Sequence, residues 1–162
     1  MCVFEPPDRE LFGHDFAAAR AIVHARRYTD PQAHILTQQG VQIMAKIEEV
    51  DQVLRADPSR ERWLVEVHPE LSFRELASGD LPRKKTRAGK DRRLALLRDP
   101  FPDVEERLGE APWRRKEVGY DDLLDAYVSL WSALRFARGA GECLELGGGE
   151  RDACGLRMRM IV

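Results

Sequence analysis

The chain has 162 residues, 43% of them apolar, with three Trp, three Tyr and six Phe, enough for one domain with a single core spanning 1–162. Its 26 Lys and Arg nearly balance 28 Asp and Glu, so no overall positive field exists and any contact with nucleic acid must come from a local basic patch. No apolar run approaches the roughly 18 residues of a membrane span. Cys2, Cys143 and Cys154 form no C-x-x-C pair, and Glu5, Pro6, Pro7 and Asp8 give no signal-peptide pattern, so a reduced, soluble, cytoplasmic protein is expected.

Met1 to Gly13, with Pro6 and Pro7, reads as an extended lead-in. A helix is predicted from His14-Asp15-Phe16 through Arg27, with Phe16, Ala19, Ile22 and Val23 on one face. Asp30-Pro31 marks a break and a new helical start. Helical spacing then runs to about Ala56, with Gly40 a joint and Val41, Met44, Ile47, Val50 and Leu54 forming a stripe. The first strand is predicted over Trp63 to His68. Leu64, Val65 and Val67 suggest burial on both faces, and Glu66 interrupts them. An ionised carboxylate in a core strand requires a partner or a metal; the alternative is an edge strand with Glu66 turned to solvent.

Pro69 to Ala77 reads as a short helix with Glu70 in its first turn, stopped by Gly79. The one strongly basic run follows, from Arg83 to Arg93, and is read as a flexible segment. Such a run can track a phosphate backbone without sequence preference, or it can be ordinary solvated surface. Lys90 to Arg98 continues as a helix ended by Pro100. Val104, Leu108 and Trp113 suggest another short one.

The longest helix is predicted from Tyr120 to about Arg138, with Leu123, Tyr127, Leu130, Trp131 and Leu134 as its packing stripe. Asp122 and Asp125 stand three apart and Asp121 and Asp125 four apart, so these carboxylates can converge and invite a divalent cation. The competing reading is that Asp121 or Asp122 caps the helix. Cys143 to Leu146 and Gly155 to Val162 are predicted to pair as a hairpin around Gly147-Gly148-Gly149, with Leu156, Met158, Met160 and Val162 alternating with Arg157 and Arg159.

Taken together, Glu66, Asp121, Asp122 and Asp125 form a candidate set for Mg²⁺ or Mn²⁺, the hard cations that activate water in phosphodiester hydrolysis. Lys84, Lys85 and Arg87 are the candidate nucleic-acid contacts. Zinc is disfavoured, because His14, His24, His34 and His68 are scattered and no H-E-x-x-H occurs. No G-x-S-x-G elbow supports a serine hydrolase.

Four strings occur in one order: Glu66-Val67-His68-Pro69-Glu70-Leu71-Ser72-Phe73, Lys84-Lys85-Thr86-Arg87-Ala88-Gly89, Asp121-Asp122-Leu123-Leu124-Asp125-Ala126, and Glu150-Arg151-Asp152-Ala153-Cys154-Gly155-Leu156. That order, covering nearly the whole chain, resembles a family catalogued only as a domain of unknown function and predicted to be nucleases of the ribonuclease H-like fold. The resemblance implies an α/β fold with Glu66 as the fourth-strand acid and Asp122 and Asp125 as the acids of the final helix, both holding metal. Members of that family begin with three strands that bear a further catalytic Asp, and here Val3-Phe4-Glu5-Pro6-Pro7 resembles the segment that follows them. The expected fold is therefore a truncated ribonuclease H-like domain, a small remnant sheet with several flanking helices. A metal-dependent nuclease weakened by the missing Asp is the first expectation. A non-catalytic nucleic-acid-binding or protein-assembly module on the same fold is the alternative. The open strand edge left behind would favour a homodimer.

Overall fold

A computed structural model describes residues 8–26, 28, 38–110, 112, 117–139, 145–146 and 151–162. The Val3–Pro7 segment, the Asp30-Pro31 break, Trp113, Cys143 and the Gly147–Gly149 turn lie outside the described residues. The chain divides into two compact units, Met1–Arg60 and Glu61–Val162.

The first unit pairs helix α1 (Phe16–Arg26) with helix α2 (Gln38–Ala56), after a single 3₁₀ turn at Arg9–Leu11. Asp15 starts α1, its Oδ1 accepting the Ala18 N–H at 2.8 Å, and so satisfies a donor that has no partner inside the helix. Leu11, Ala19 and Met44 are buried together, with Phe12, Ile22, Val23 and Val41 against them. The stripe predicted on α2 holds at Met44 but not at Val50, which is exposed. The buried position two turns beyond Met44 belongs to Asp51, the neighbour of Val50; Asp51 accepts from Arg9 Nε at 2.6 Å and also meets Arg55. A paired carboxylate can occupy that inward place; an unpaired one could not.

The second unit is mixed α/β and mostly helical: strand β1 (Glu66–Val67), helices α3 (Pro69–Ala77), α4 (Arg87–Leu97), α5 (Val104–Glu110) and α6 (Tyr120–Arg138), and strands β2 (Glu145–Leu146) and β3 (Met160–Ile161). The strands form one sheet in the order β1-β3-β2. β1 runs parallel to β3, with Glu66 opposite Met160 and Val67 opposite Ile161, while β2 and β3 are antiparallel, the predicted hairpin partners. The expected strand Trp63–His68 is thus reduced to Glu66–Val67. Among the described strands β1 is paired on one side only. Glu66 itself is exposed, so the edge-strand reading is the one observed, in place of a doubly buried strand.

Two further expectations change. The helix predicted from Lys90 begins at Arg87, because Thr86 caps it: Thr86 Oγ1 accepts the Gly89 N–H at 3.0 Å. Most of the basic run, Arg87 to Arg93, is therefore helix. The buried face of α6 carries Leu124, Val128 and Ser132, while Leu130 and Leu134 of the predicted stripe are 46% and 42% exposed. Two polar contacts rotate the helix. Ser132 Oγ donates to Ser72 Oγ of α3 at 2.8 Å, both residues fully buried, and a hydrogen-bonded serine takes a core position that hydropathy alone would give to a leucine. Arg135 stacks over Trp131 at 4.4 Å and keeps that flank inward.

α3, α4 and α6 enclose the core of Phe73, Leu97, Val104, Leu124 and Val128. α3 ends at Ser78, held in the left-handed region at φ 53°, with the Gly79 N–H donating to Arg74 O at 3.1 Å. The observed face of α6 yields a direct test. Leu124→Ala should cost about 2–5 kcal/mol and Leu134→Ala less than about 1 kcal/mol, read from urea unfolding midpoints. Equal losses would return the packing face to the leucine stripe.

Candidate functional site

The acidic start of α6 and the turn before α4 meet through one contact. Lys84 Nζ donates to Asp125 Oδ2 at 3.2 Å, and Asp125 is the more enclosed of the two. Burial pushes the Asp125 carboxyl above its ordinary range; Lys84 pulls it back, and the negative charges of Glu70 and Asp121 push it further up. Two of the predicted residues, one basic and one acidic, are thus brought together, with Asp121 beside them.

Asp122 does something else. Its Oδ2 accepts the N–H of Gly119 at 3.1 Å, closing the first turn of α6. Gly119 has no side chain to return the bond, so only half of a reciprocal cap forms. A Cβ on Gly119 would stand 2.9 Å from that same oxygen, so a side chain there would push the Asp122 carboxylate aside. Glu66 lies on the sheet. Although the residue as a whole is exposed, the groups packed around its carboxyl desolvate it and raise it, and His68 opposes the shift. His68 in turn caps α3, its Nδ1 accepting the Leu71 N–H at 3.4 Å. Among the described residues no three of His, Cys, Asp and Glu gather as a set able to hold a metal. The acids expected to share a cation are occupied separately, Asp125 by Lys84 and Asp122 by the helix cap, and so do not present an assembled donor set for Mg²⁺ or Mn²⁺.

The basic side is better built. Arg83, Lys84, Lys85 and Arg87 are exposed, and Arg87 also meets Asp91 one turn on at 3.6 Å. Beneath them Arg93, the last residue of the basic run, is 2% exposed. Its guanidinium donates to both Glu70 oxygens at 2.7 and 2.9 Å and to the carbonyls of Pro82 and Gly89 at 2.9 and 3.0 Å. It also lies 5.4 Å from the ring centre of Phe73. Its Nε is the buried side-chain nitrogen left without a hydrogen-bond partner among the described residues. Sequence reasoning missed the Glu70–Arg93 pair. The signal was available: Gly89, Arg93 and Leu97 recur every four residues on the buried line of α4.

The second unit is accordingly a small, mostly helical α/β module that presents a braced basic turn beside an acidic helix start. The chain belongs to the family described as "Protein of unknown function (DUF429)", whose model matches residues 1–146. The match includes the first three of the four ordered strings and ends before Glu150. No curated protein and no solved structure matches the chain. No helix among the described residues is long and apolar enough to cross a membrane.

The raised Asp125 carboxyl has a sign that can be measured. The folded chain holds this proton more tightly than the unfolded chain, so its contribution to stability is complete below the ordinary Asp value of about 4 and is lost as pH rises through the higher folded value. Asp125→Asn should therefore gain on the native chain in urea midpoint as pH rises across that window. Parallel pH profiles for the two proteins would contradict the assignment.

Proposed function

We propose that the chain binds nucleic acid through its backbone phosphates, with Lys84, Lys85 and Arg87 as the contacting side chains. The observation that supports this is the basic turn itself: four exposed cations at Arg83, Lys84, Lys85 and Arg87, on a segment braced from beneath by Arg93, in a chain whose net charge is −2. Contacts of this kind supply affinity without reading sequence, and each releases counterions, so binding weakens steeply with salt. A turn held in place before binding also loses less conformational freedom on binding.

A second reading, that of the resemblance, is a ribonuclease H-like domain carrying out metal-dependent phosphodiester hydrolysis. In it Glu66, Asp122 and Asp125, with Asp121 nearby, hold Mg²⁺ or Mn²⁺, which would supply Lewis acidity and a lowered water pKa. What favours it is the helical spacing that puts Asp121 one turn before the partly buried Asp125, whose carboxyl is pushed up chiefly by burial, as titratable groups at functional sites often are. It requires Asp125 to exchange Lys84 for the metal and Asp122 to leave its cap. A homodimer through the open side of β1 belongs to the same proposal.

One set of proteins separates the readings. Fluorescence anisotropy with labelled single-stranded DNA and RNA should give salt-dependent binding by the native chain. The triple change of Lys84, Lys85 and Arg87 to Ala should lower the salt slope by roughly 0.7 for each lost phosphate contact. Native binding with no salt dependence would remove the first reading. Incubation with Mn²⁺ beside Glu66→Gln, Asp122→Asn and Asp125→Asn addresses the second: hydrolysis predicts cleavage by the native chain alone, whereas identical background in all four excludes it.

A further inference from the structure

We infer that Arg93 is a positioning residue for the phosphate-contacting turn: although it belongs to the basic run, it holds Lys84 and Lys85 in place from below and does not itself meet the phosphates. This rests on the nucleic-acid reading above. Three observations carry it. The guanidinium is 2% exposed, so a phosphate in solvent cannot reach it. Its donors are directed to Glu70 on α3, to Gly89 on its own helix and to Pro82, whose carbonyl opens the turn. One side chain therefore joins both ends of the segment 82–89 to a second helix.

Gly89 completes the joint. A Cβ there would stand 2.1 Å from the carbonyl oxygen of Arg83 and 2.7 Å from its carbon, both backbone atoms that cannot swing aside. The turn thus closes directly onto the first turn of α4. Thr86 locks it from the other direction, its Oγ1 donating to Arg83 O at 2.7 Å while accepting from Gly89 N. The Lys84–Asp125 contact is the outward result of this geometry. A Cβ at position 89 would force the turn away by on the order of an ångström, displacing the cations without removing any charge.

That last property supplies the test, because charge-conserving variants separate positioning from direct contact. Arg93→Lys keeps the positive charge, and a lysine can still act as a point contact to phosphate, but its single nitrogen cannot reproduce the separate reach of Nη2 to Glu70 and of Nη1 to the two carbonyls. Gly89→Ala changes no charge at all. Both variants should weaken binding to labelled single-stranded DNA about tenfold and lower the salt slope by at least roughly 0.7, the change expected for loss of one phosphate contact. Both should also lose the zero-length carbodiimide cross-link between Lys84 and Asp125, detected by peptide mass in the absence of nucleic acid. Measurements are made where far-UV circular dichroism matches the native chain; if Arg93→Lys does not fold, Gly89→Ala decides. Native salt slope and an intact cross-link in folded Gly89→Ala overturn the inference, and native slope in folded Arg93→Lys does the same. Absence of binding by the native chain would overturn the nucleic-acid reading, while the cross-link still decides whether the turn is held as described.

Discussion

The buried guanidinium of Arg93 is the constraint on which the second unit depends. A cation removed from water is costly unless its donors are matched, and here both Glu70 oxygens on Nη2, two carbonyls on Nη1 and an aromatic face offset most of that cost, with Nε left without a partner among the described residues. Losing Glu70 would leave the buried Arg93 charge without its counter-ion, whereas Glu70 itself is partly open to water. The pair also limits where its neighbours can go. Glu70 sits in the first turn of α3 and Arg93 in the middle of α4, so the ion pair sets the approach of these helices, and the core of Phe73, Leu97 and Val104 fills the space beneath.

From that joint follows the arrangement of charge on the surface. The turn before α4 is held by Arg93, closed onto Gly89 and capped by Thr86, and it projects Lys84 toward the start of α6. α6 is placed by its own polar links, Ser132 to Ser72 and Arg135 over Trp131. Asp125 consequently occupies a partly buried position where Lys84 favours its ionised form and Glu70 and Asp121 oppose it. Lys84 and Asp125 thus form an ion pair at the boundary between the basic turn and the acidic helix start.

Much of this was legible in the residues. The acidic helix was predicted over Tyr120–Arg138 and occupies those residues; the helix Pro69–Ala77 and the pairing of the two C-terminal strands were likewise readable, because periodicity, proline and glycine act locally. What escaped were positions where a polar side chain occupies the core. Ser132 displaced the leucine stripe of α6, Asp51 took the place expected of Val50, and Arg93, which ends the basic run within the helix expected from Lys90, is buried. In each case the partner, Ser72, Arg9 or Glu70, is distant along the chain, and hydropathy carries no record of it.

The candidate site divides along the same line. Sequence alone determined which residues could matter: the basic run, the acids of α6 and Glu66, since charge and helical spacing are properties of the chain itself. Tertiary structure decided which of them meet. It joined Lys84 to Asp125, turned Asp122 to the helix cap, left Glu66 on an exposed edge strand and buried Arg93. The physical reason is that a carboxylate takes the nearest donor that the packed backbone supplies, and that donor is fixed by contacts far apart in sequence.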